Sequence, residues 1–191
     1  MLLLPALAAS HHVIRKVIQP GHVAVDATVG NGHDTCLLAQ LVGPHGRVFG
    51  FDIQPLALAR ATERLQEQVL ADRVQLMLAG HELLREHLPS ELHGNVQAVM
   101  FNLGYLPGSD KVIKTKAETT IAALDASLDV LAPGGIITVV IYTGHPEGKA
   151  EQEAVVQWAR QLDQRRVQVA AYQFLNQVGN PPSLMVLEKL P

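Results

Sequence analysis

The chain has 191 residues, 48% of them apolar and 17% charged, with a formal net charge of −3. That length suits one domain with a full core, and the composition excludes a disordered chain. The charge excludes a broadly basic surface, so a nucleic-acid partner would have to meet a local basic patch.

The opening MLLLPALAA is apolar but carries no basic stretch, which makes it a weak secretion signal, and no apolar run is long enough to span a bilayer. A cytoplasmic protein is expected. Residues 10–19 place Val13, Ile14, Val17 and Ile18 at helical spacing, with Ser10 as the expected N-cap and Pro20–Gly21 as the stop. The stretch His22 to Asp34, HVAVDATVGNGHD, then reads as a strand, a turn on Gly30 and Gly32, and a helix running to about Val42. A single cysteine, Cys36, excludes an internal disulfide and a cysteine-based zinc site. Its place on that helix makes it a small core residue.

A strand over Arg47–Asp52 follows, then a helix from Pro55 to about Leu70 with Leu56, Ala59, Leu65 and Val69 as its expected buried positions. Residues 74–79 form the third predicted strand and HELLREHL a short helix. VQAVMFNL (96–103) is apolar through its middle, as a central strand is. A loop rich in Gly, Pro and Lys leads to a helix from Glu118 to Leu131, and Pro133–Gly134–Gly135 turns the chain into the strand IITVVIY. GHPEGKAE opens a helix to about Asp163, and VQVAAYQFLN and SLMVLEKL form a terminal antiparallel hairpin. Strands alternate with helices up to that last pair, the pattern of a doubly wound sheet with one antiparallel strand. The chain reads as one domain, 1–191, with the first helix as an accessory.

Strand, glycine turn and helix make the first half of a nucleotide-binding βαβ unit. The glycines allow close approach of backbone to ligand, and the helix start offers free N–H groups. Asp52, about twenty residues beyond Gly32, stands where ribose hydroxyls are held. Two cofactors fit this pattern. A nicotinamide dinucleotide is disfavoured by Thr35, which occupies the third small position of the fingerprint. S-adenosylmethionine (SAM) is favoured by Asp26, an acid at the end of the first strand suited to the methionine ammonium, with loop N–H groups for its carboxylate. The candidate cofactor residues are Asp26, Thr28, Gly30, Asn31, Gly32, His33, Asp34, Asp52 and Gln54, with Gly80, His81 and Glu82 near the adenine and Asn102 near the methyl group.

Asn102 ends the fourth predicted strand, inside FNLGYLPG, and resembles the Asn/Asp-Pro-Pro-Tyr loop of amine-directed methyltransferases. An amine must meet a methyl group in line with its lone pair free, and an Asn oxygen that accepts its N–H aims that lone pair. Asn180–Pro181–Pro182 looks similar, but its place in the terminal hairpin argues for a structural turn or a substrate-facing rim.

DATVGNGHDT, FNLGYLPGSDK, KAETTIAAL, VIYTGHPEGK and FLNQVGNPP, in that order, closely resemble a bacterial family once labelled rRNA methylases and now associated with methylation of the tRNA wobble uridine. Val29 departs from the family pattern, where Ala is expected. The resemblance implies a Rossmann-like class I methyltransferase with a seven-stranded, mostly parallel sheet of order 3-2-1-4-5-7-6 and helices on both faces. It implies conversion of 5-aminomethyl-uridine to 5-methylaminomethyl-uridine with SAM as methyl donor and S-adenosylhomocysteine as product, on the tRNA anticodon loop, by a homodimer that needs no metal. Within it, Tyr105 would stack on the wobble base and Asp110 would hold the aminomethyl group. Lys111, Lys114 and Lys116 would meet phosphates, with Lys149 and Arg15 nearby, or else form a solvated loop, and His145 would contact substrate or serve as a turn or helix-cap residue. The alternatives are a methyltransferase for rRNA or a small amine, a non-catalytic SAM-binding module, and a nicotinamide oxidoreductase.

Overall fold

The computed structural model describes residues 2–104, 115–144 and 146–191. Seven strands, β1 (Val23–Asp26), β2 (Arg47–Asp52), β3 (Val74–Leu78), β4 (Val96–Leu103), β5 (Leu131–Ile141), β6 (Val167–Tyr172) and β7 (Ser183–Lys189), form one sheet in the order β3-β2-β1-β4-β5-β7-β6. β1 to β5 pair in parallel, and β7 runs antiparallel to both β5 and β6. This is the expected topology.

Alternation along the central strands sends side chains to two cores. Ala24, Ala98 and Met100 meet Ile14, Ile18, Leu38, Val42 and Leu65 of the helical layer formed by α1 (Ala6–Val17), α2 (His33–Val42) and α3 (Pro55–Glu67). Val25, Val99 and Phe101 face the opposite way, toward Leu84, Leu124 and Val155 of α4 (Leu84–His87), α5 (Ala117–Val130) and α6 (Pro146–Arg160). Cys36 is buried in the first core, as expected of a small apolar residue.

Four local expectations are corrected. The cap of α1 is Pro5, five residues before the expected Ser10, which is buried within the helix, where its hydroxyl bonds Thr138 Oγ1 of β5 at 3.0 Å. The small buried hydroxyl lets α1 lie close on the sheet. α3 buries Ala57, Ala61 and Leu65, while Leu56, Ala59 and Val69 are exposed. At Ala61 the inner face of α3 meets Gly32 of the glycine turn at close range. β5 begins at Leu131, before Pro133–Gly134–Gly135, with a register shift between Val96 and Ala98 of its partner strand. The turn signal is therefore absorbed as an irregularity inside the strand. HELLREHL divides into a 3-10 turn, His81–Leu83, and α4.

Among the described residues no helix is long and apolar enough to cross a membrane.

Candidate active site at the carboxyl ends of the strands

The glycine turn after β1 has little freedom. Gly30 and Gly32 take φ of +52° and +77°, conformations that side chains disfavour. A Cβ on Gly32 would also lie 2.8 Å from Ala61 Cα, so this glycine admits α3 to close packing. From α3, Arg64 Nε donates to the Asn31 carbonyl at 2.8 Å and Arg60 Nη1 to Asn31 Oδ1 at 3.1 Å. From β2, Asp52 accepts the Gly30 N–H on one carboxylate oxygen and the Gln54 N–H on the other, both at 2.9 Å. Asp52, Gly30, Asn31, Gly32 and Gln54 thus form one unit, with oxygen lone pairs on Asp52 still free for further donors.

Asp26 lies beneath that unit, fully buried. It accepts the Thr28 N–H at 3.1 Å and the Thr35 hydroxyl at 2.6 Å. Burial, reinforced by the negative charge of nearby Asp34, pushes its carboxyl up to about 7. Thr35, out of place in a dinucleotide fingerprint, is here the partner of Asp26. Thr28 continues the chain of bonds, since its Oγ1 accepts the Asn102 N–H at 2.7 Å and ties the β1 loop to the end of β4. Asp26 acts on the site by shaping this loop, with both oxygens engaged inside the protein.

At the end of β4, Asn102 Nδ2 donates to Asp34 Oδ2 at 2.5 Å. Asp34 sits in the first turn of α2, where the helix dipole favours a carboxylate. Its other oxygen accepts a 2.7 Å bond from His11 Nε2 of α1. Asn102 Oδ1 is buried and has no hydrogen-bond partner among the described residues. Leaving such an acceptor unpaired costs about 1–3 kcal/mol, so it marks a place built for a donor. Tyr142, at the end of β5, stands beside Gly104, and burial with the Asp34 charge holds its hydroxyl pKa above the ordinary value. It therefore stays a neutral donor.

The loop after β3 is partly structural. His81 is buried, its Nδ1 donates to the Ala27 carbonyl at 3.2 Å, and its ring packs edge-on against Phe101. Burial lowers its pKa, so the ring is held neutral. The Glu82 carboxylate folds back over Gly80, where a Cβ would meet it. His33 is exposed on the first residue of α2.

Tyr105, Asp110, Lys111, Lys114 and His145 lie outside the described residues. Lys116 is exposed just before α5. Next to it, Thr115 donates its N–H to the Gly104 carbonyl and its hydroxyl to Glu151, which also accepts from Thr120 at 2.7 Å. Buried Glu151 of α6 thereby ties Thr115 to the start of α5. Sequence reasoning missed His11, Tyr142 and Glu151. Only the paired histidines at 11 and 12 gave any signal, and nothing in their spacing pointed to Asp34. Among the described residues, no group of three or more His, Cys, Asp or Glu side chains is arranged to hold a metal ion.

The strand order, the antiparallel β7 and a cofactor-type glycine turn at the carboxyl edge define the Rossmann-like class I methyltransferase fold. Solved structures agree. A Clostridium thermocellum protein described as a "putative rRNA-methylase" is 45% identical, covers 100% of both chains and superposes with a TM-score of 0.96. A Streptococcus mutans "putative methyltransferase", solved in complex with SAH, is 34% identical over 99% of this chain and 100% of its own, with a TM-score of 0.89. The sequence pattern of the family described as "Putative rRNA methylase" matches residues 48–188, and the chain belongs to that family. Among curated relatives, the chloroplastic tRNA (mnm(5)s(2)U34)-methyltransferase of Arabidopsis thaliana is 40% identical over 159 residues, 78% of this chain and 57% of that protein. Ribosomal RNA small subunit methyltransferase H of Leifsonia xyli is 37% identical over 113 residues, 58% of this chain. The chain spans little more than half the length of the plant protein and 34% of the ribosomal one.

Proposed function

We propose that this protein is a SAM-dependent RNA methyltransferase that converts 5-aminomethyl-uridine to 5-methylaminomethyl-uridine at the tRNA wobble position. The observation that carries the reading is Asn102 Oδ1 at the end of β4, a buried acceptor without a partner among the described residues. An amine N–H is the donor that such an acceptor would take, and this edge of the sheet is where reacting groups gather in open α/β folds. The plant relative whose name specifies mnm(5)s(2)U34 supports the choice of RNA and of base. The S. mutans structure with bound SAH supports the cofactor.

The residues present fit the methyl donor. Asp52 stands beside the glycine turn with acceptor capacity left over, and among the described residues no side chain caps the start of α2. Such a site suits a ligand that carries ribose hydroxyls and a carboxylate. Asp52 would hold the ribose hydroxyls, Gln54 the edge beside them, the backbone at Gly80–Glu82 the adenine, and the Gly30–Asp34 turn the methionine end. When bound, SAM supplies an electrophilic methyl group on a sulfonium that is already a good leaving group. Asn102 accepts an N–H of the substrate amine and thereby aims its lone pair. A strong base is not required, because the amine reacts in its uncharged form and sheds a proton afterwards. Lys116, together with Lys111 and Lys114, would meet anticodon phosphates, Tyr105 would stack on the base, and Asp110 and His145 would contact the substrate. A homodimer in the cytoplasm belongs to the same proposal.

The test is mass spectrometry of wobble nucleosides in tRNA from cells with and without the protein, alongside tRNA from the deficient cells treated with purified protein and SAM. Loss of 5-methylaminomethyl-uridine with accumulation of 5-aminomethyl-uridine, reversed by the purified protein, is expected. An unchanged nucleoside profile and no methyl transfer in vitro would overturn the reading.

A further inference from the structure

We propose that His11, from the amino-terminal helix, is a positioning residue for methyl transfer that acts through Asp34 on Asn102. The inference rests on the amine substrate proposed above.

Its basis is a chain of two hydrogen bonds: His11 Nε2 to Asp34 Oδ1 at 2.7 Å, then Asn102 Nδ2 to Asp34 Oδ2 at 2.5 Å. An ionised carboxylate only accepts, so the Asn102 amide must turn its NH2 toward Asp34. Its oxygen is then directed to the other side, and that is the buried atom without a partner among the described residues. Asp34 therefore decides which end of Asn102 is offered to a ligand. His11 in turn decides what Asp34 can do. With one oxygen on His11 and the other on Asn102, Asp34 is held by two partners from two different elements, and only 8% of its side chain is exposed.

The anchoring of His11 is itself rigid. Its neighbour Ser10 is buried and bonded to Thr138, and Ile14, one turn on, is fully buried in the core. The imidazole is thus delivered by a helix locked to the sheet, although 29% of its surface remains exposed.

The chemistry gives this arrangement a purpose. A substrate aminomethyl group carries a proton in water, and a carboxylate free to turn toward it would stabilise the ammonium, which has no lone pair to donate. Two partners on Asp34 oppose that. They leave the amine facing a neutral amide oxygen, which accepts an N–H without favouring the charged form as strongly. His11 thus favours the reactive form of the substrate without touching it.

The experiment compares wild type, His11→Ala and His11→Gln on tRNA bearing 5-aminomethyl-uridine, with kcat and KM for tRNA measured separately, SAM affinity by calorimetry, and melting curves to establish folding. Glutamine can still place an N–H donor near Asp34 but has no imidazole. His11→Ala should lower kcat about 10-fold or more, since misplacement at a reacting centre costs rate steeply. Its KM for tRNA should stay level or fall, because a freed Asp34 grips the ammonium, and SAM affinity should be unchanged. His11→Gln should recover most of the rate. A folded His11→Ala with wild-type kcat, or a His11→Gln no better than His11→Ala, overturns the inference while leaving the proposed function standing. A wild type inactive on this tRNA removes the substrate reading, and this inference with it.

Discussion

Asn102 Nδ2 and Asp34 Oδ2 are joined at 2.5 Å although 68 positions separate them in the chain. The bond connects the end of β4 to the first turn of α2, so the residue proposed to meet the amine is oriented by the helix that follows the cofactor-type turn. A change at one is therefore felt at the other.

Asn102→Ala should bind SAM nearly as well as wild type, because the Asn102 backbone N–H that bonds Thr28 is retained. Its methylation rate should fall about 10²-fold, in kcat more than in KM, as expected when a group that aligns the reactants is lost. Raising the pH should not restore the rate, since a missing positioner is not a missing base. Single-turnover assays from pH 7 to 9 check this, and wild-type turnover would remove Asn102 from the site.

Asp52→Ala should weaken SAM binding by about 1–3 kcal/mol, the scale of hydrogen bonds lost from a charged group. It also strips acceptors from the Gly30 and Gln54 N–H groups, so a lower melting temperature should accompany the loss. Calorimetry reads the affinity. A folded variant that binds SAM as tightly as wild type would take Asp52 out of the cofactor site.

Asp26 makes stability depend on pH. Its carboxyl, near 3.8 in an unfolded chain, is raised to about 7 in the fold. The folded state therefore holds the proton more tightly, and this group's contribution is fully present below pH 4 and is lost as pH rises through 7. Asp26→Asn mimics the protonated form, with its oxygen accepting from Thr28 N–H and its NH2 donating to the Thr35 hydroxyl. Urea midpoints at pH 5 and pH 8 should drop less between the two for Asp26→Asn than for wild type. Equal drops would mean that the Asp26 carboxyl titrates at its ordinary value.

Gly32→Ala should destabilise the fold by about 1–3 kcal/mol through overlap with Ala61, beyond the cost of its left-handed backbone. Gly94→Ala is the matched control. Gly94 has a similar φ of +81° but open space around its missing Cβ, so it bears the backbone cost alone. Chemical denaturation of both variants separates the two effects, and equal losses would show that α3 yields to the extra methyl group.

Much of the fold was legible because its signals are local. The apolar runs at β1, β2 and β4, the glycines at 30 and 32, and the terminal hairpin all register in short windows of sequence. Asn180, read as a structural turn or a substrate-facing rim, takes a positive φ of 52° between β6 and β7. The inner face of α3 was not legible. Hydrophobicity pointed to Leu56 and Val69, whereas the helix buries Ala57 and Ala61, the latter packed closely against Gly32 of the glycine turn.

By itself, the sequence determined the strands, the glycine turn and the terminal hairpin, because strand period and turn chemistry are properties of neighbouring residues, while the strand order came from the resemblance of whole motifs to a family. Only the tertiary structure decided how the site residues are used. Asp26 is buried and bonded inward, Asp34 is shared between His11 and Asn102, and Glu151 ties Thr115 to α5. Each of these links joins elements distant in the chain, and hydrogen-bond partners brought together by packing leave no periodicity for a sequence to display.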